Sequence, residues 1–234
     1  MSDRNQHSMV TTALRERNIL KNVYLWMTCG LSLTGIIALG VSTSERLIYV
    51  LASNPGIFYG LIIGELVLVF FISSRIMKLS PAVATFSFVG YSALNGVTLA
   101  LIFQLYTGQS ITTALFITAG TFGAMSIYAL TTKRDLSGIG HFLIMGLWGV
   151  IIASLVNLFL GSEILYWIIS YIGVAVFLGL TAYDTQTIKR WSSQMGDSLS
   201  EQDYIRFSIL GALKLYLDFI NLFLFFLRIF GRRR

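Results

Sequence analysis

The 234 residues are 55% hydrophobic and 12% charged, with a mean hydropathy of +0.74. Soluble domains carry about 25% charged residues, so this composition excludes a soluble globular domain and leaves one multi-span membrane bundle without room for a second folded domain. The net charge of +6 is carried largely at the ends of apolar runs, which assigns it to membrane topology and not to nucleic acid.

A helix needs about 20 residues to cross the hydrocarbon. Seven runs qualify: 23–42, 55–74, 82–106, 111–131, 140–160, 164–187 and 207–230. The fold class is therefore an all-α membrane protein with seven transmembrane helices. A tail of residues 1–22 precedes a transmembrane domain over 23–231, and a basic tail of residues 232–234 follows it. The first run lacks a small-residue cleavage site, so it reads as a retained span and not as a signal peptide.

Asn54-Pro55 and Ser80-Pro81 each set an N-cap residue before a proline at the first helical position. Ser162 and Glu163 can cap the sixth span and complement its dipole. Gly60 and Gly64, and the pairs Ala119-Gly120 and Gly123-Ala124, form small-residue faces that let helix backbones approach closely. Trp26, Tyr49, Tyr106, Tyr166 and Trp191 fall near the ends of runs, where aromatic belts anchor a protein at the headgroup level.

Charge bias sets the orientation. The N-terminal tail and the second, fourth and sixth connections carry eleven basic residues, against Arg46 alone in the segments between them. The N-terminus is therefore expected on the cytoplasmic side. Arg228, Arg232, Arg233 and Arg234 then lie outside if the last run spans fully, or inside if it turns back. A full span is the expectation, because a re-entrant backbone needs protein or water to shield it.

Chemistry-bearing residues are few. Cys29 is the single cysteine, which excludes an intrachain disulfide and a cysteine-based metal site. His7 and His141 are far apart, and no phosphate loop, His-Glu-x-x-His or Gly-x-Ser-x-Gly occurs. No cofactor and no enzymatic activity are expected. The polar candidates are Glu65, Arg75, Asp184, Lys214, Asp218 and Asn221. A carboxylate inside the bilayer costs about 2.5–3.5 kcal/mol even on the mildest insertion scale, so it normally faces a bundle interior or a water-filled path.

Asp184 ends one apolar run and Asp218 lies inside the next. Each has a bland reading. Asp184 can sit in interfacial water, and Lys214, four residues before Asp218, can neutralise it on the same helical face. Arg75 can be a snorkelling topology anchor. Glu65 lies ten residues from Arg75, about 15 Å along a helix, too far for a direct pair. The sharper reading joins the last two helices. Two facing carboxylates cannot comfortably both ionise, so they share a proton and titrate as a pair nearer neutral pH. Arg75 nearby would favour the doubly ionised form. Their oxygens also suit Ca²⁺, and two carboxylates make a weak transit site for it.

At these residues the chain resembles the Bax inhibitor family, the transmembrane Bax-inhibitor-motif proteins. The likeness is carried by TFGAMSIYALTTKRDLSGIG at 121–140, AYDTQTI at 182–188 and ALKLYLDFINLFLFFLRIFG at 212–231. Length and span count look like a bacterial member. The resemblance implies that the last helix is central, surrounded by the other six. It implies a pH-sensitive Ca²⁺ leak of the cell (inner) membrane, gated by the pair Asp184 and Asp218, with Ca²⁺ as the permeant ion. Arg75 looks like the family's arginine partner and Glu65 like its intramembrane glutamate. The chain departs in an extra acidic, polar stretch at 195–203 between the aspartates, which bears on cytoplasmic access to them.

Beyond calcium ions and the lipid bilayer, the resemblance implies a second class of partner. Some relatives are thought to restrain a membrane-anchored protease, a role that the tail 1–22 could serve without ion flux. A monomer is expected. A remote third reading is an intramembrane aspartyl protease. Against it, Leu215-Tyr216-Leu217 stand where those enzymes carry Gly-x-Gly before the second aspartate, and no proline follows Pro81.

Overall fold

A computed structural model describes the backbone of residues 2–194 and 200–233, and the side chains of residues 19–193 and 200–233. Part of the acidic stretch 195–203 and the side chains at the start of the tail 1–22 lie outside the described residues. Eight α-helices are present among the described residues: α1 (Ser2–Ser42), α2 (Glu45–Ser53), α3 (Pro55–Arg75), α4 (Pro81–Leu105), α5 (Gly108–Thr131), α6 (Ser137–Leu160), α7 (Glu163–Gln194) and α8 (Glu201–Phe230). All but α2 are long and apolar enough to cross a membrane, with candidate spans that begin at Ile19, Pro55, Pro81, Gly108, Ser137, Glu163 and Glu201. The backbone of the N-terminal tail is helical from Ser2 and continuous with the first span.

The caps explain these boundaries. Thr107 accepts from the Ser110 N–H at 3.3 Å, Ser80 from Val83 at 3.3 Å and Ser162 from Leu165 at 3.3 Å. Each satisfies one N–H that the first turn of a helix leaves without a backbone partner. Asn54 departs from its expected role. Its side chain makes no cap bond to α3 and instead donates to the Val50 carbonyl at 3.0 Å. The reason is α2, a nine-residue helix whose own last carbonyls need donors. Gly161, at φ 59°, closes α6 in the left-handed conformation that glycine adopts without strain.

The chain divides into two compact units. The first holds residues through Leu105 together with Arg190–Tyr216, and the second holds Tyr106–Lys189 and Leu217–Arg233. Helix α8 thus contributes its first half to one unit and its second half to the other. It is also the most buried span. In its most apolar window 72% of residues are buried, against 6–39% in the other six, in keeping with the central place that the family resemblance implies for the last helix. It is unbroken over 30 residues, about 45 Å at 1.5 Å per residue, so the last segment does not turn back.

In the first unit α1 lies against α4. A Cβ on Gly96 would stand 2.7 Å from the Thr34 carbonyl oxygen and 2.9 Å from Ile37 Cβ. The small-residue faces expected to bring backbones together are elsewhere and do not do so. Nothing lies within 4 Å of a Cβ on Gly60, Gly120 or Gly123, and one on Gly64 meets only Leu94 at 3.5 Å. These residues look outward, and only 6% of the α3 window is buried. At the other end of the unit Arg206 Nε donates to the Leu79 carbonyl at 2.7 Å and Asn22 Nδ2 to the Tyr204 hydroxyl at 2.8 Å.

In the second unit the chain after α8 is tied down. The Thr107 N–H donates to the Arg232 carbonyl at 3.2 Å, and the Arg232 N–H donates to Ser110 Oγ at 2.9 Å. Tyr106, expected as a lipid-facing belt residue, is buried at 7% exposure because the chain after α8 covers it, with Arg233 bridging its backbone and Gly231 against its ring. Tyr49, 72% exposed, does face outward.

Candidate functional site

Asp184 and Asp218 both belong to the second unit and both are buried, at 7% and 4% exposure. On α7, Thr181 and Thr185 are fully buried beside Asp184, and Gln186 is 8% exposed. On α8, Leu215 and Leu222 are fully buried on either side of Asp218, and Phe219 meets Phe122 of α5 edge-on at 5.4 Å. Carboxylates this deep in a protein need charge partners, hydrogen bonds or a proton, because desolvation of an isolated ionised carboxylate is prohibitive.

The backbone that carries Asp184 is locked by residues the sequence does not single out. Gln186 Oε1 accepts from the Leu136 N–H at 2.7 Å, and its Nε2 donates to the Arg134 carbonyl at 2.8 Å. Lys189 Nζ donates to the Leu130 carbonyl at 2.7 Å. The turn of α7 after Asp184 is therefore fastened to the end of α5 and to the α5–α6 connection by three bonds to backbone groups that lack helical partners. On the α6 side, Gly140 lets the Tyr183 ring pack where no Cβ would fit. A glutamine two residues after an intramembrane aspartate was the available signal, but its partners lie about fifty residues away in sequence.

The remaining candidates are placed differently. Glu65 belongs to the first unit, where Thr98 Oγ1 donates to it at 2.5 Å and Asn95 Nδ2 at 3.2 Å. The chain of bonds continues inward. The Tyr216 hydroxyl donates to Asn95 Oδ1 at 3.0 Å, and it lies 2.7 Å from Thr34 Oγ1, which also reaches the Ser92 carbonyl at 2.8 Å. Arg75, also in the first unit, is exposed at the last residue of α3. Lys214 Nζ lies 5.9 Å above the Trp191 ring, close enough for a cation–π contact. Asn221 Nδ2 donates to the Leu217 carbonyl at 2.8 Å, so its amide is engaged within α8 itself.

Seven apolar helices with carboxylates buried among them define a multi-pass helical membrane protein with a polar interior. Residues 16–234 match the family described as "Inhibitor of apoptosis-promoting Bax1", and the chain belongs to that family. It is 53% identical over 215 residues to "Inner membrane protein YbhL" of Escherichia coli K12, covering 92% of each chain. It is 44% identical over 221 residues to an uncharacterised protein of Borreliella burgdorferi, covering 94% of each. It is 45% identical over 192 residues to an uncharacterised membrane protein of Streptococcus pyogenes, covering 80% of each.

Proposed function

We propose that this protein is a pH-sensitive Ca²⁺ leak of the cell membrane in which Asp184 and Asp218 act as a proton-sharing pair. The observation that carries the reading is the burial of both carboxylates within one compact unit, on helices that span the membrane. At about 4 Å and an effective dielectric constant near 20, two bare carboxylates repel by about 4 kcal/mol. A shared proton removes that repulsion, so proton uptake and helix separation are coupled. Asp184 and Asp218 alone carry the reading, since Arg75 is exposed and belongs, like Glu65, to the other unit. Among the described residues no three His, Cys, Asp or Glu side chains cluster, so Ca²⁺ at the pair has at most two carboxylates, as suits transit more than storage.

The test is Ca²⁺ entry into dye-loaded liposomes containing the purified protein, at about pH 6 and about pH 8, values on either side of neutrality where a shared proton titrates. Flux above empty liposomes that differs between the two values is expected. Flux equal to that of empty liposomes at both values would sink the leak reading.

The family's description as an inhibitor favours a second reading, that of an interaction protein acting on a membrane protease or a stress response through the tail 1–22. In that case removing the tail abolishes the cellular phenotype, and substituting both aspartates leaves it intact.

A further inference from the structure

At the end of the second unit away from Gln186 and Lys189 lies an open pocket of about 460 Å³. Among the residues lining it are Tyr106, Glu163, Tyr166, Trp167, Arg228 and Arg233. Its volume falls within the usual range for small-ligand sites.

The two arginines are held in place by specific contacts. Arg228 lies over the rings of Tyr166, at 5.7 Å, and Phe225, at 5.3 Å. Such stacking fixes the plane of a guanidinium and leaves its N–H edges available to an acceptor. Arg233 lines the same pocket as Tyr106 and Tyr166, whose hydroxyls beside it favour its charged form. The backbone before it is pinned through Arg232 to Thr107 and Ser110. The basic residues that sit against the charge bias of the chain therefore build a cation-lined pocket at a helix end.

The surroundings indicate what kind of anion fits. The pocket opens beside the first turns of α7, where Ile164, Ile168 and Ile172 are 75%, 47% and 50% exposed. Their spacing of four places them along one helical face, so an apolar track leads from the pocket into the depth of the span. Trp167 and Tyr171, stacked at 6.1 Å, run alongside it. Aromatic side chains at a span end mark the headgroup level. Glu163 at the rim adds one negative charge, which disfavours a dianion more than a singly charged group.

We infer that this pocket binds the phosphodiester headgroup of a bilayer phospholipid, with Arg228 and Arg233 on the phosphate and an acyl chain along the isoleucine track. Arginine suits this task because its planar fork matches phosphate oxygens. The site is separate from Asp184 and Asp218 and is read out by binding, so its outcome is independent of the leak reading.

The test is native mass spectrometry of the full-length protein in detergent, titrated with dioctanoyl phosphatidylglycerol. Parallel arms contain excess inorganic phosphate. Saturable binding of one lipid is expected, weakened roughly tenfold in R228Q/R233Q and tightened in Glu163→Gln. Inorganic phosphate should displace little of it. The tightening matters because a variant that had merely lost its fold could not produce it, and R233Q alone, at an exposed position, supplies a milder loss. Unchanged affinity in R228Q/R233Q, or no tightening in Glu163→Gln, would overturn the assignment. Displacement by phosphate at concentrations comparable to the lipid would make this a free-anion site and overturn the lipid reading.

Discussion

Truncation of Tyr216 to alanine is expected to destabilise the protein by about 3–5 kcal/mol, the range for removing a large buried aromatic side chain. Tyr216 is fully buried and is met edge-on by Phe88 at 5.9 Å and Tyr91 at 5.6 Å. Its hydroxyl also joins Asn95 to Thr34. Tyr216→Phe separates the two contributions. It keeps the ring and leaves Asn95 Oδ1 short of a donor, at a cost of about 1–3 kcal/mol. Chemical denaturation in detergent, followed by tryptophan fluorescence, measures both. A smaller loss for alanine than for phenylalanine would contradict the account, because it would mean that the cavity costs nothing.

Gly96→Ala should cost about 1–3 kcal/mol, a large effect for one added methyl group. The methyl would stand against the Thr34 carbonyl, a backbone atom that retreats only if α1 moves from α4. Thr34 also contacts Tyr216, so movement of α1 pulls on the same hydrogen-bond chain. Combining Gly96→Ala with Tyr216→Phe should therefore give less than the sum of the two losses, as coupled sites do. Additive losses would show that the chain of bonds does not carry the strain. The control is Gly60→Ala, which adds its methyl in open space and should be close to neutral, or slightly stabilising through helix propensity.

The spans were legible because apolar runs, two prolines and capping side chains mark helix ends by purely local chemistry. Helix α2 escaped because nine residues cannot span and its amphipathic pattern, ERLIYVLAS, sits inside a connection. Tyr106 escaped for a different reason. An aromatic at a span end has the same sequence signature whether it faces lipid or, as here, an arginine of its own chain. Glycine spacing misled in the same way. The Gly60–Gly64 pair has the packing pattern but no helix against it, whereas Gly96, in the less conspicuous spacing Ser92–Gly96–Ala100, has the contact.

Asp184 and Asp218 stood out because a carboxylate within an apolar run is costly wherever it points. The residues that fasten or extend the polar interior did not stand out. Gln186 and Arg134 are 52 residues apart, and Thr34 and Tyr216 are 182 apart. No local signal connects such pairs, because their partnership is a property of how the helices pack.

The central claim is that Asp184 and Asp218 hold one proton between them, and the most direct measurement is the pH dependence of Ca²⁺ flux in a four-way comparison. Wild type, Asp184→Asn, Asp218→Asn and the double variant would be assayed in liposomes from about pH 6 to about pH 8. A shared proton predicts that either single substitution abolishes the pH step and that the double variant behaves like the singles, since removing one member already ends the sharing. A pH step that survives in both single variants would contradict the pair as the sensor.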